Sequence, residues 1–207
     1  MKTYLEFISE VKTATTISKK SRGFINSVLP NSGKPMSPKL IQNSGGHYIG
    51  AVTHAAGTHH IYKFPVEGVQ NSVTFSAHDP ETGRSTLAVQ GHHGNGVLSK
   101  LNLAAAKDNT FPAHEFYHHL LKKGHVKALV ADHQSAGGKR VWEKLSKKRG
   151  VGIHGWDPKK EVPLNVKFGE DETHEERPNG IERNTKEYKA LNPDSDVPKM
   201  QLVAHIK

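Results

Sequence analysis

The chain has no cysteine among its 207 residues, which excludes disulfides, a thiolate nucleophile and cysteine-ligated zinc. No apolar run comes near the ~20 residues that a membrane-spanning helix needs, and the first residues lack the apolar stretch of a secretory signal. Hydrophobic residues are scarce at 34%, while glycine and proline number 19 and 11. That balance predicts a core of roughly 110 to 130 residues, the size of one domain, with long solvated segments around it. Acidic residues are also in short supply, 20 against 29 Lys and Arg, for a net charge of +9. The excess favours polyanionic surroundings, either nucleic acid or a phosphorylated cofactor, and carries no information about fold.

What is present is clearest between Ala113 and Asp157. Pro112 suits a first helical turn, and Phe116, Tyr117, Leu120 and Leu121 then recur on one helical face until Gly124. Val126–Ala131 is a short bounded apolar run and predicts a buried strand. Asp132–Gly138 is turn chemistry, followed by a helix with Val141, Trp142 and Leu145 on its apolar stripe, ending near Gly150. Val151–Trp156 predicts a further strand, closed by Asp157 and Pro158. Strand, helix and strand within about 30 residues fit a crossover unit.

Upstream the period changes to two. Tyr48–Val52 and His60–Phe64 flank Ala56 and Gly57 as one hairpin, and Val73–Ala77 and Ser85–Val89 flank the turn Asp79–Gly83 as a second. Val97–Leu103 alternates as a fifth strand. The predicted class is therefore α+β: a mixed, mainly antiparallel sheet with two helices packed on it, in a core spanning 47–157. Residues 11–46, rich in Lys, Ser, Asn, Gly and Pro, predict a flexible basic arm, which either lies along DNA phosphates or is a solvated linker. Residues 158–207 predict a largely irregular tail around the acidic patch Glu170–Glu176, with a strand at Met200–Ile206 that returns to the sheet.

The first ten residues, MKTYLEFISE, hold Tyr4, Leu5, Phe7 and Ile8 close together and end in Ile8-Ser9-Glu10. This segment resembles the capsid-targeting peptide of internal head proteins and other prohead-core proteins of T-even-like tailed phages, which ends in an aliphatic-x-Glu protease site. The resemblance covers about ten residues. It implies cleavage after Glu10 during head maturation, with the phage capsid or prohead core and packaged DNA as partners. It also implies a location in the virion interior and then the host cytoplasm, with no membrane association. An ordinary amphipathic N-terminal segment is the other reading of the same residues.

The order of several antiparallel strands followed by strand, helix, strand, helix and strand resembles the C-terminal two-thirds of the GNAT acyltransferase fold. In that family a splayed strand offers backbone groups to the pantetheine arm of acyl-coenzyme A, and the next helix N-terminus holds the pyrophosphate, where free N–H groups and the helix dipole favour anions. The resemblance implies acetyl-CoA as cofactor. It places the strand contacts at Leu101 and Leu103 and the phosphate loop at Lys107, Asn109 and Thr110. The chain departs from the family in two ways. No Gln/Arg-x-x-Gly-x-Gly/Ala loop precedes the helix at 113, and the family's first two helices have no counterpart. These departures leave catalysis and the general base unassigned.

Two further constellations carry chemistry. His114-Glu115-Phe116-Tyr117-His118 is a literal His-Glu-x-x-His, the spacing that sets two imidazoles on one helical face as zinc ligands with Glu115 as general base. In a chain with 15 histidines a chance match is roughly 1 in 15, which lowers the motif's specificity, and the alternative reading is of surface positions beside the buried Phe116, Tyr117 and Leu120. Ser135, Gly137 and Gly138 open the second helix and can present N–H groups to an anion, while Arg140, Lys144, Lys147 and Lys148 line its basic face. Ser135 lacks a Gly-x-Ser-x-Gly elbow and is expected to cap the helix.

Three functions are therefore expected. The first is a virion-packaged internal protein with an acyl-CoA-dependent N-acyltransferase domain. The second is a non-enzymatic basic protein bound to packaged DNA, and the third a zinc hydrolase.

Overall fold

The computed structural model describes residues 28–55, 57–106, 109–131, 136–157, 162–164 and 201–207. Two units divide the chain. One comprises Met1–Gly94 and Leu101–Phe116, the other Asn95–Lys100 and Tyr117–Lys207. Each combines helix with a mostly antiparallel sheet, so the α+β class holds.

The first unit is a meander. β1 (His47–His54), β2 (Gly57–Pro65), β3 (Ser72–His78), β4 (Ser85–Gly94) and the later part of β5 (Val97–Ala105) lie in that order. The first three pairings are all antiparallel, with His60 opposite His78 and Phe75 opposite Val89. Strand alternation puts Ile61, Ala77 and Leu87 on one face, each fully buried. His60, Tyr62 and Phe64 take the other face. β4 extends through Gly91-His92-His93-Gly94, and the turn to β5 is made by Asn95 and Gly96, both with positive φ, as a two-residue hairpin turn requires.

The face carrying Phe64 is covered by a segment that the sequence pattern assigns to the flexible arm, and this corrects the reading of 11–46 for its described part. A 3-10 turn at Pro30–Gly33 leads to α1 (Pro38–Asn43), whose N-terminus is capped by the Ser37 hydroxyl accepting from Leu40 N–H at 3.2 Å. Met36 and Ile41 pack on Phe64, and Val28 and Leu29 pack with Ala88, Ala104 and Ala106. Four apolar side chains spaced among polar residues are enough to hold the segment down, because each covers sheet that would otherwise be wet. The core therefore begins by Val28, not His47, and the described residues hold three α-helices in place of the two expected.

In the second unit the sheet runs β5, β6 (Ala128–Ala131), β9 (Gln201–Ile206), β7 (Val151–Asp157), β8 (Val162–Leu164). β6 is parallel to β5 through two register pairs, Val97 with Ala128 and Leu98 with Leu129. Beyond them, Lys100 takes φ 53° in the middle of β5, a left-handed conformation uncommon for a lysine. β9 lies between β6 and β7, antiparallel to both. The crossover from β6 through α3 (Ala136–Ser146) to β7 thus skips one strand position, which the last strand of the chain fills. α2 (Ala113–Lys122) ends where Gly124, with φ 71°, donates to the Leu121 carbonyl at 3.0 Å. Buried here are Leu98, Leu120, Leu129, Leu145, Leu202 and Trp142, the last edge-on to Tyr117.

Candidate functional site

The residues assigned to an acyl-CoA site fall on β5 and on the approach to α2. Leu101 and Leu103 are half-buried on β5, Asn109 is buried and Thr110 is exposed; Lys107 lies outside the described residues. Asn109 and Phe111 exchange hydrogen bonds. The carboxamide Nδ2 donates to the Phe111 carbonyl at 2.8 Å, and the Phe111 N–H donates to Oδ1 at 3.3 Å. The Asn109 N–H donates to Ala106, and those of Glu115 and Phe116 both donate to Pro112. Asn109 therefore shapes the loop. Phe111 is fully buried, stacked on His59 at 4.7 Å and edge-on to Phe116 at 6.0 Å.

His59 was not singled out by the sequence pattern. Only 5% exposed, it has neither ring nitrogen hydrogen-bonded among the described residues. Burial pushes its pKa below the ordinary histidine value, Asp79 pulls it back and His54 adds to the lowering.

Of the His-Glu-x-x-His motif, His114 and Glu115 are in contact at 3.6 Å and both remain partly exposed. The carboxylate assigned as general base therefore meets the imidazole assigned as ligand. Among the described residues no group of three or more His, Asp or Glu is placed to hold a metal. The buried imidazole of this helix is the next one, His119, 8% exposed and 5.8 Å from the ring of His125. Burial first, then His125, Lys123 and His118, lower its pKa to about 4.

On α3, Gly137 and Gly138 are the second and third helical residues, and Ser135 lies outside the described residues. Lys144 and Lys147 are exposed, Arg140 and Lys148 partly so. Lys147 is paired with Glu143 at 3.0 Å, so one of the four expected cations already has an acidic partner. Glu10, the expected processing residue, is likewise outside the described residues.

A second set of aromatic and polar groups gathers on the α1-covered face of β1 to β3. His78 Nδ1–H donates to the Gly83 carbonyl at 2.7 Å, which leaves Nε2 to accept from the Ser76 hydroxyl at 2.7 Å. Ser76 has no exposed surface and His78 has 1%. This serine–histidine pair is a clamp on the β3–β4 turn, closed to any substrate. Burial holds the His78 pKa down at about 4, with the Gly83 bond opposing and His60 adding to the shift. In the turn itself Asp79 Oδ1 accepts from Glu81 N, Thr82 N and Thr82 Oγ1. The Thr82 backbone bond is the main cause of an Asp79 pKa below the usual carboxylate range.

Compared with protein-family models, curated proteins and solved structures, the chain matches none.

Proposed function

We propose that the protein is an internal virion protein whose folded part is a GNAT-like domain that binds acyl-CoA. The observation that carries the reading is the parallel β5–β6 ladder of only two pairs, ending just before Lys100 leaves the extended conformation, on a strand that leads directly to the start of α2. A strand released early from its neighbour has backbone groups to offer a pantetheine arm, and a helix opened by Pro112 has N–H groups to offer a diphosphate. Thr110 and the amide of Ala113 would hold the phosphates, and Leu101 and Leu103 would lie along the arm. Acyl transfer from such a cofactor breaks the carbon–sulfur bond, forms a carbon–nitrogen bond to an amine and passes the proton lost by that nitrogen to the departing sulfur, which leaves as the thiol.

Isothermal calorimetry of the full chain with acetyl-CoA and with CoA tests the reading. One-to-one binding is expected, and absence of heat with either overturns it. The virion assignment draws on the Met1–Glu10 segment and on the net charge of +9. Intact-mass measurement on virion material tests it, with a chain starting at Val11 expected; a chain still carrying Met1 overturns processing at Glu10.

The exposed Lys144 and Lys147 on α3 favour a second reading, a basic protein held on packaged DNA by phosphate contacts alone. It differs from the first in requiring no response to CoA.

A further inference from the structure

The first unit carries a depression on the β1–β3 face that has no part in either reading above. Its volume is about 600 Å³, and its walls include His60, Tyr62, His78, Asp79, Glu81 and Thr82. An adjoining hollow of about 410 Å³, bounded by Gln42, His47 and Tyr48, shares Tyr62 as its dividing wall. The rings stand across one another. Tyr48 is edge-on to both His60 and Tyr62 at 5.5 Å, with interplanar angles of 79° and 66°, and Tyr62 is edge-on to His78 at 4.9 Å. Walls set at such angles present ring faces to a rounded guest from more than one side.

The charge lining is one-sided. Asp79 and Glu81 are both at the wall, and in a chain with 29 Lys and Arg none of these lines either hollow among the described residues. Both nitrogens of His78 are occupied, by Ser76 and Gly83, and with 1% of its surface exposed that ring backs Tyr62 as a neutral support.

We infer that this aromatic and carboxylate-lined depression is a binding site for an organic ammonium cation. Such a cation is drawn to aromatic faces by the ring quadrupole and to the carboxylates by charge, and its alkyl groups gain from leaving water. A phosphate or a carboxylate ligand would meet Asp79 and Glu81 instead of a cation. The cation can belong to a small free molecule or to a methylated lysine side chain, since the head group is the same. The site is separate from the β5–α2 junction: His59, the residue stacked on Phe111, projects from β2 to the opposite side from its neighbour His60.

The test uses the full chain without coenzyme A, so its outcome is independent of the acyl-CoA reading. Tetramethylammonium chloride is titrated against sodium chloride as the ionic-strength control, and the ring resonances of Tyr48, His60 and Tyr62 are followed by NMR. Saturable shifts at these rings with tetramethylammonium and none with sodium are expected. Tyr62→Leu should weaken binding about tenfold, while Tyr62→Phe, which keeps the ring, should stay within about threefold of the parent. Melting curves check that both variants are folded, and Glu81→Gln, at an exposed position, should weaken binding about threefold. Tighter binding of Nα-acetyl-trimethyllysine amide than of tetramethylammonium assigns the cation to a polypeptide, and equal binding assigns it to a small molecule. Both uphold the site. Linear, non-saturating shifts, or Tyr62→Leu binding as well as the parent, overturn it.

Discussion

Asn109 and Phe111 hold each other through two hydrogen bonds across a single intervening residue, both inside the protein. The side chain of one does for the backbone of the other what a strand partner would do. Asn109→Ala therefore strands a buried N–H and a buried C=O together, a loss of about 2 to 4 kcal/mol by the usual cost of unmade bonds. Asn109→Asp should not rescue it, because a carboxylate keeps the acceptor for Phe111 N–H but faces the Phe111 carbonyl with another acceptor. Urea denaturation of the two variants measures this; a loss below about 1 kcal/mol in Asn109→Ala would mean that water replaces the bonds.

Gly83 and Met36 show how close the N-terminal segment comes to the sheet. A Cβ on Gly83 would sit 1.8 Å from the Met36 carbonyl oxygen, and the residue has φ +65°. Gly68 has a similar φ, +72°, but nothing within 4 Å of its virtual Cβ. The pair separates backbone strain from collision. Gly68→Ala should cost about 1 to 2 kcal/mol, the left-handed penalty alone. Gly83→Ala should cost more than that again, because the segment must also lift and take Met36 and its bond to the Thr82 carbonyl with it. Equal losses in denaturant midpoint would argue that 35–38 is not held as described.

Two buried histidines set a pH dependence of stability. His78 and His119 each have a native pKa of about 4 against an ordinary value of 6.5. Below 6.5 the unfolded chain binds protons that the native state refuses, so stability falls as pH drops from 6.5 and levels off near 4 as far as these two groups are concerned. For His78, with 1% of its surface exposed, the full effect is on the order of 3 kcal/mol. His119→Leu should flatten the slope and raise stability at neutral pH, because an imidazole whose Nε2 is buried with no hydrogen-bond partner among the described residues gives way to an apolar side chain. Denaturant midpoints measured across that range decide; a His119→Leu slope as steep as the parent's would remove His119 from the account.

Much of the fold is legible in the residues, and what is not has identifiable physical causes. Period-two runs with turn residues between them mark β1 to β5, and the stripes Phe116, Leu120 and Val141, Trp142, Leu145 mark α2 and α3, because alternation and helical spacing are local properties. The folding of 28–46 is not legible in the residues because Met36 and Ile41 lie in a polar, proline-rich setting, and their burial depends on Phe64, more than 20 residues away. The place of β9 between β6 and β7 depends on a contact across some 50 residues and leaves no periodic trace. At the candidate sites, Asn109 and Thr110 were found by their position before a helix, but that position does not reveal that the carboxamide would turn inward. His59 and His119 were hidden in adjacent histidine pairs, and His78 stands alone at the end of a strand. In each pair the strand or helix buries one ring and leaves its neighbour more exposed, and the side is set by register.

The basic face of α3 offers the clearest separation between the two functional readings. Nonspecific DNA affinity arising from phosphate contacts falls with salt at a logarithmic slope of about 0.9 per contact. If Lys144 makes one such contact, Lys144→Ala should reduce the slope by about one and weaken binding on every sequence alike. Lys147 is held by Glu143 at 3.0 Å, so it must exchange that partner for a phosphate, and the net gain is small because the released carboxylate stays close to the DNA. Glu143→Gln frees the ammonium and removes a repelling charge at once, and should therefore tighten binding at low salt while steepening the slope. Fluorescence anisotropy with an unrelated pair of duplexes at several salt concentrations reads both variants. An unchanged slope in Lys144→Ala and in Glu143→Gln would take α3 out of DNA binding and leave the charge excess to other segments of the chain.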